Sequence, residues 1–281
     1  MKKKINKIVF VSMSADVIHH GHVNIINEAK KFGDVIIGLI SDEVISKYKR
    51  LPYLNWSQRK KILENIKGVI KVIKQKEWDY VPSILSIKPD YLAHGTDWKK
   101  GDLKNLRYLA IKALKTYVGK LIEIEYTQGI SAMNYSLNQK IIGTSPDVRK
   151  SNLKRLIELK KIVRIIEAHN PLSALIAENI YVKEKNLIKE FDGFWSSSLT
   201  DSTSQGKPDT ESLDLSSRLN NINNIFNITT KPLIIDCDTG GLTEHFALNV
   251  KTMERLGISA AIIEDKKGLK KNSLLGNKVR Q

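Results

Sequence analysis

Residues 7–12 read Lys7-Ile8-Val9-Phe10-Val11-Ser12, and a short loop through Asp16 leads from them to His19-His20-Gly21-His22. The first piece is a compact β-branched run and predicts a strand. Beyond the glycine turn, apolar residues at Ile25, Ile26, Ala29 and Phe32 keep a helical spacing, which predicts a helix over 22–32. The same alternation continues outward. The run VIIGLI at 35–40 is apolar throughout, as a strand buried on both faces should be. Helices are predicted at 58–66 and 80–87, the latter closed by Pro89, and strands at 69–73, 91–94 and 121–126. A last helix at 130–142 is ended by Gly143. Strands alternating with helices predict an α/β fold: a Rossmann-like parallel sheet with helices on both faces.

The remaining chain fits a second domain. At 281 residues the length suggests two. The polar, turn-rich stretch GTSPDVRKS at 143–151 is the candidate boundary, giving domains 1–145 and 146–281. A lysine-rich amphipathic helix at 151–166 follows, and the β/α rhythm restarts. Strands are predicted at 165–168, 194–197, 233–236 and 260–264, and helices at 172–179 and 243–256. The segment 196–214, rich in Ser, Thr, Gly, Pro and Asp, reads either as a linker or as a functional loop after a strand. No internal repeat is visible.

Composition excludes several classes. With 41% hydrophobic and 27% charged residues, wholesale disorder is ruled out. No apolar run approaches the roughly 18 residues that a membrane span needs. The basic start MKKK leads into a first strand rather than a signal peptide. The single cysteine, Cys237, excludes an intramolecular disulfide and a cysteine-based zinc site, and fits a reducing, cytoplasmic setting. Lys and Arg number 46 against 30 Asp and Glu, a net charge of +16. The lysines are spread along the chain and aromatics are only 7%, so the pattern favours a solvated surface and anionic small substrates over nucleic acid.

Two imidazoles at a glycine turn and a helix N-terminus can both face an anion, where helix amides add to the attraction. There they would stabilise charge on an α-phosphate and on leaving pyrophosphate. A His-rich tetrapeptide at a surface turn can equally be merely solvated. The wider context resembles the HxGH nucleotidyltransferase superfamily, in its cytidylyltransferase branch, over roughly residues 5–140. The resemblance implies catalytic roles for His19, His22 and Lys47. It implies nucleotide contacts by Ser14, Asp16, Gly21, Lys49 and Arg59. It extends them to Gly95, Asp97 and Trp98 in the segment HGTDW, and to Thr127, Gly129, Ile130 and Ser131 in TQGIS. Two departures stand out: Met13-Ser14-Ala15 replaces the family's Gly-Thr-Phe, and Tyr126 replaces an arginine. The implied reaction is in-line attack of a phosphate or phosphonate oxygen on the α-phosphorus of CTP, with Mg²⁺ bridging the triphosphate.

In the second half, Asp236-Cys237-Asp238-Thr239-Gly240-Gly241 follows an apolar strand. Its carboxylates at i and i+2 can share a hydrated Mg²⁺, or the loop can simply cap a helix. Glu264-Asp265-Lys266, five residues, then Asn272-Ser273 resembles the hallmark of phosphoenolpyruvate mutase in the isocitrate lyase superfamily. The resemblance implies a Mg²⁺ shell of Asp236, Asp238 and Glu264, and a substrate pocket of Trp195, Ser197, Ser198, Leu199 and Ser273. It implies catalytic roles for Asp209, Lys270 and Asn272. It also implies a (β/α)₈ barrel of roughly 250 residues. Residues 146–281 supply strands one to four, so the expectation is the first half of a barrel, not competent alone as a mutase.

The order of the two halves resembles bifunctional cytidylyltransferase–mutase enzymes of phosphonate biosynthesis. The expected partners are CTP, a small phosphonate (2-hydroxyethylphosphonate or 2-aminoethylphosphonate), phosphoenolpyruvate or phosphonopyruvate, and a second copy in a homo-oligomer, with no membrane. Two alternatives stay open. One is a cytidylyltransferase for glycerol 3-phosphate or phosphocholine, and the other a non-catalytic, basic nucleic-acid-binding remnant.

Overall fold

The computed structural model describes residues 7–99, 101–125, 144–184, 187–265 and 270. These fall into two compact units.

The first unit starts with β1 (Ile8–Met13), α1 (His20–Ala29), β2 (Asp34–Ile40), α2 (Asp42–Tyr48) and α3 (Trp56–Glu64). It continues with β3 (Val69–Gln75), α4 (Val81–Ile87), β4 (Tyr91–Gly95), α5 (Lys104–Lys115) and β5 (Lys120–Ile124). The five strands are parallel and ordered β3-β2-β1-β4-β5. Alternate residues of β1 feed opposite faces. Val9 and Val11 pack with Ile26, Ile37 and Leu63 on one side. Phe10 packs with Ile84, Leu92, Trp98 and Leu114 on the other. A strand with no solvent face needs helices on both sides, which is why 7–12 reads as it does. The helices α2 and α5 were not among the expected elements. The first spans only seven residues, too few to show a period. The predicted helix at 130–142 lies outside the described residues.

The second unit starts with α6 (Pro146–Leu159), β6 (Ile165–Glu167), α7 (Pro171–Asn179), β7 (Tyr181–Glu184) and β8 (Leu187–Glu190). It continues with β9 (Gly193–Ser196), α8 (Ser198–Thr203), α9 (Leu215–Phe226), β10 (Leu233–Asp236), α10 (Thr243–Leu256) and β11 (Ala260–Ile262). Strands β6, β9, β10 and β11 form a parallel sheet in chain order, as successive strands of a (β/α) barrel do. Its core joins Phe194, Leu233 and Ile235 to Ala174 of α7, Ile222 and Ile225 of α9, and Met253 of α10. The pair β7-β8 and the helix α9 were not expected. The segment 196–214 is part helix, because α8 opens directly after β9.

Candidate active sites

In the first unit the strand order reverses between β1 and β4, so connections leave in opposite directions there. In open α/β sheets ligands settle at this switch point, beyond the carboxyl ends of the strands. The histidine segment follows β1 and the segment HGTDW begins in β4, so both expected motifs end at this place.

His19 caps α1. Its Nδ1 accepts a bond from Gly21 N at 3.1 Å. His22 answers: its Nδ1 accepts from His19 N at 3.4 Å. The rings lie with centroids 4.0 Å apart, tilted by 51°. A nitrogen that accepts a backbone N–H cannot carry the proton of a neutral imidazole. Each neutral ring therefore holds its proton on Nε2, which has no partner among the described residues. Burial, then the neighbouring His19 and Lys49, pushes the His22 pKa down to about 4. Burial also lowers His19, with His20 adding to it. At neutral pH the pair is thus two uncharged N–H donors.

Lys49 donates to Ser14 Oγ at 3.1 Å. Its surface is exposed, yet neighbouring protein desolvates the ammonium enough to lower its pKa, against the pull of Asp16. Asp16 Oδ1 accepts from Tyr53 N at 2.6 Å, tying the loop after β1 to the loop after α2. Lys47 is exposed in the last turn of α2.

Two of the expected nucleotide contacts lie in the interior. Arg59 is fully buried and bonds Ser14 O, Ile40 O at 3.0 Å and Asp42 Oδ1 at 2.6 Å, so it is not presented to a solvent-borne phosphate. Trp98 is also fully buried. It stacks on His94 with centroids 3.8 Å apart and donates to Glu123 at 3.0 Å, so its ring is part of the core. Gly95 ends β4 buried, with its carbonyl 2.9 Å from His94 Nδ1, while Asp97 is exposed. Thr127, Gly129, Ile130 and Ser131 lie outside the described residues.

In the second unit the expected residues gather at the ends of β9, β10 and β11. Lys270 is buried among them. It donates to Ser198 Oγ at 2.8 Å, to Asp209 at 3.0 Å and to Asp238 Oδ1, and stands 3.8 Å from Glu264. Burial depresses this ammonium, but the bonds to Asp238 and Asp209 outweigh it and raise the pKa above the ordinary lysine value. Asp236 Oδ2 accepts from Ser198 Oγ at 3.1 Å, and its Oδ1 from Asp238 N at 3.0 Å. Asp236, Asp238 and Glu264 were expected to form one metal shell. Among the described residues no group of three or more His, Cys, Asp or Glu side chains is arranged to hold a metal ion. Asp238 and Glu264 instead meet the Lys270 ammonium, while the Asp236 carboxylate accepts from Ser198 and Asp238 N. They remain hard oxygen donors of the kind Mg²⁺ takes, so the set fits that ion by chemistry. Trp195 and Leu199 are half-buried beside the site and Ser197 is buried. Asn272 and Ser273 lie outside the described residues.

Sequence reading missed Arg218. It sits on the buried face of α9, one turn from Ile222, and donates to Asp201 at 2.9 Å, to Ser196 O at 3.2 Å and to Asp236 O. It also stands 3.6 Å from Asp238. An arginine on the apolar stripe of a helix was the available signal. Glu211 was missed too: it accepts from Thr239 N at 2.9 Å and from Thr239 Oγ1, fixing the loop that carries Asp238.

A cytidylyltransferase-like family model matches residues 14–136, and a phosphoenolpyruvate phosphomutase model matches residues 153–279. The FAD synthase of Archaeoglobus profundus is 32% identical over 143 residues, 51% of this chain and 88% of that protein. The FAD synthase of Archaeoglobus fulgidus is 36% identical over 95 residues, 32% of this chain and 69% of that protein. Among solved structures, a phosphoenolpyruvate phosphomutase from Streptomyces platensis subsp. rosaceus is 36% identical, covering 46% of this chain and 42% of its own, with a TM-score of 0.41. A phosphonopyruvate hydrolase is 30% identical, covering 44% of this chain and 41% of its own, with a TM-score of 0.36. The chain thus spans less than half the length of these two structures. It belongs to the cytidylyltransferase-like nucleotidyltransferases through its first unit and carries a phosphoenolpyruvate mutase-family domain behind it. The protein is an enzyme with both segments, and no described helix is long and apolar enough to cross a membrane.

Proposed function

We propose that the first unit transfers a cytidylyl group from CTP to a small phosphonate and releases pyrophosphate. The observation that carries the transfer is the reciprocal histidine cap at the sheet's switch point. Two uncharged Nε2–H donors can bond phosphate oxygens as charge moves toward the leaving pyrophosphate. Lys49 and Lys47 add positive charge, and the loop 14–16 orients the triphosphate. The phosphonate oxygen is already ionised, so positioning suffices and no general base is needed. Mg²⁺ would neutralise triphosphate charge when bound.

The mutase-family domain behind this unit supports a phosphonate as the acceptor. We assign the division to 1–145 and 146–281. In the second part Asp236, Asp238 and Glu264 would hold Mg²⁺, and Asp209, Lys270 and Asn272 would act on phosphoenolpyruvate or phosphonopyruvate. Trp195, Ser197, Ser198, Leu199 and Ser273 would line that substrate.

A second reading has one observation behind it: the similarity to FAD synthases favours a flavin phosphate acceptor with ATP. Phosphorus NMR with Mg²⁺ separates the two. CTP is offered with 2-hydroxyethylphosphonate or 2-aminoethylphosphonate, and ATP with FMN in a parallel tube. A phosphonate–phosphate anhydride signal with pyrophosphate is expected from the first. Turnover confined to ATP and FMN overturns the proposal.

A further inference from the structure

The loop after β1 carries a residue under conformational constraint. Ala15 has φ 46°, in the left-handed region, and its side chain is fully buried. An L-residue adopts that region only when its surroundings impose it. Those surroundings can be named. Arg59 grips the carbonyl of the preceding Ser14, and its other terminal nitrogen bonds Ile40 O at 3.0 Å and Asp42 Oδ1 at 2.6 Å. Asp42 uses its second oxygen to accept from Trp56 N at 2.9 Å, the first residue of α3, the helix that carries Arg59. Trp56 Nε1 donates to Leu39 O at 3.1 Å and closes the circuit on β2. The ends of β1 and β2 and the starts of α2 and α3 are thus joined through one buried ion pair. On the far side of the gripped carbonyl, Ser14 Oγ meets Lys49 and Asp16 meets Tyr53.

We propose that Asp42 and Arg59 are a positioning pair. They hold the Ser14 carbonyl so that Ala15 stays left-handed and Ser14, Asp16 and Lys49 face the nucleotide in one arrangement. This rests on the nucleotidyl-transfer reading and assigns Arg59 a task other than touching phosphate. A fully buried guanidinium with three oxygen partners cannot also meet a ligand arriving from solvent. The pairing also accounts for alanine at a position where glycine would need no clamp.

The test is a cycle of Arg59→Lys, Asp42→Asn and Ala15→Gly in the full chain, read by steady-state transfer and by thermal unfolding. Arg59→Lys and Asp42→Asn should each lower kcat about 100-fold, the size expected when reacting groups are misplaced, with KM for CTP within about threefold. Adding Ala15→Gly to either should recover about tenfold in kcat and part of the lost Tm, because glycine adopts the loop shape unaided. A rise in KM with kcat unchanged would mean direct phosphate contact and overturn the proposal. So would the absence of rescue by Ala15→Gly in both readouts. If the single variants do not fold and Ala15→Gly does not restore folding, the pair is only a folding element and the proposal fails. If the wild type does not turn over CTP, the function reading fails by itself, and the Tm cycle still decides whether Asp42, Arg59 and Ala15 are coupled.

Discussion

At the switch point of the first unit, His19 and His22 spend Nδ1 on the backbone and hold their protons on Nε2, uncharged at neutral pH. At the strand ends of the second, four carboxylates surround two buried cations: Asp209, Asp238 and Glu264 about Lys270, and Asp201 and Asp238 about Arg218. The first site thus offers uncharged donors. The second already pairs its cations with carboxylates and keeps an excess of negative charge, so a cation that enters shares those oxygens with Lys270. The difference follows from burial. Lys270 and Arg218 are each 3% exposed at the side chain, where an unpaired ion is too costly to keep.

The largest expected effect tests that pairing. Arg218→Leu leaves Asp201 buried without its partner and should destabilise the second unit by about 3–5 kcal/mol, read as a lower urea midpoint. If the unit tolerates the change, the pairing is not what holds this site together. Next, His22→Ala should reduce transfer about 100- to 1000-fold, the loss typical of one preorganised donor. His22→Gln, which can still donate, should lose less.

The depressed His22 pKa gives a third prediction. Protons bind the unfolded ring near 6.5 but the folded ring only near 4, so stability holds above pH 6.5 and falls as pH drops toward 4. The loss is up to about 3 kcal/mol by that shift. Urea titrations should show the slope flattening in His22→Gln, and a wild-type slope unchanged by the substitution would refute the burial argument. A smaller effect comes from Lys270→Met. Removing the ammonium takes the cation from Asp209 and one of the two from Asp238, so Mn²⁺ measured by electron paramagnetic resonance should bind about tenfold tighter, or about 1.4 kcal/mol. Weaker binding would mean that Lys270 helps the ion rather than competing with it. Smallest of all, Lys31→Ala breaks an exposed i,i+3 pair with Glu28 and should change stability by under about 0.5 kcal/mol.

The sequence determined the sheet's raw material and which residues are candidates for the sites. The β-branched run at 7–12, the apolar run at 35–40 and the helix at 243–256 are periodic or continuous enough to read directly. His19, His22, Asp236, Asp238 and Lys270 were singled out because motif spacing is a linear property of the chain. What each of these residues does with its neighbours was not. Arg59 looks like any basic residue opening a helix, and only the packing of three chain segments around it buries it against Ser14 O, Ile40 O and Asp42. The motif singles out Lys270 but not its partners, which appear only when the fold brings Asp209, 61 residues away, and Asp238, 32 residues away, onto its ammonium. Local pattern records which face a residue belongs to and which turn it follows. The partners of a buried charge are set by contacts far apart in sequence, and those exist only once the units have folded.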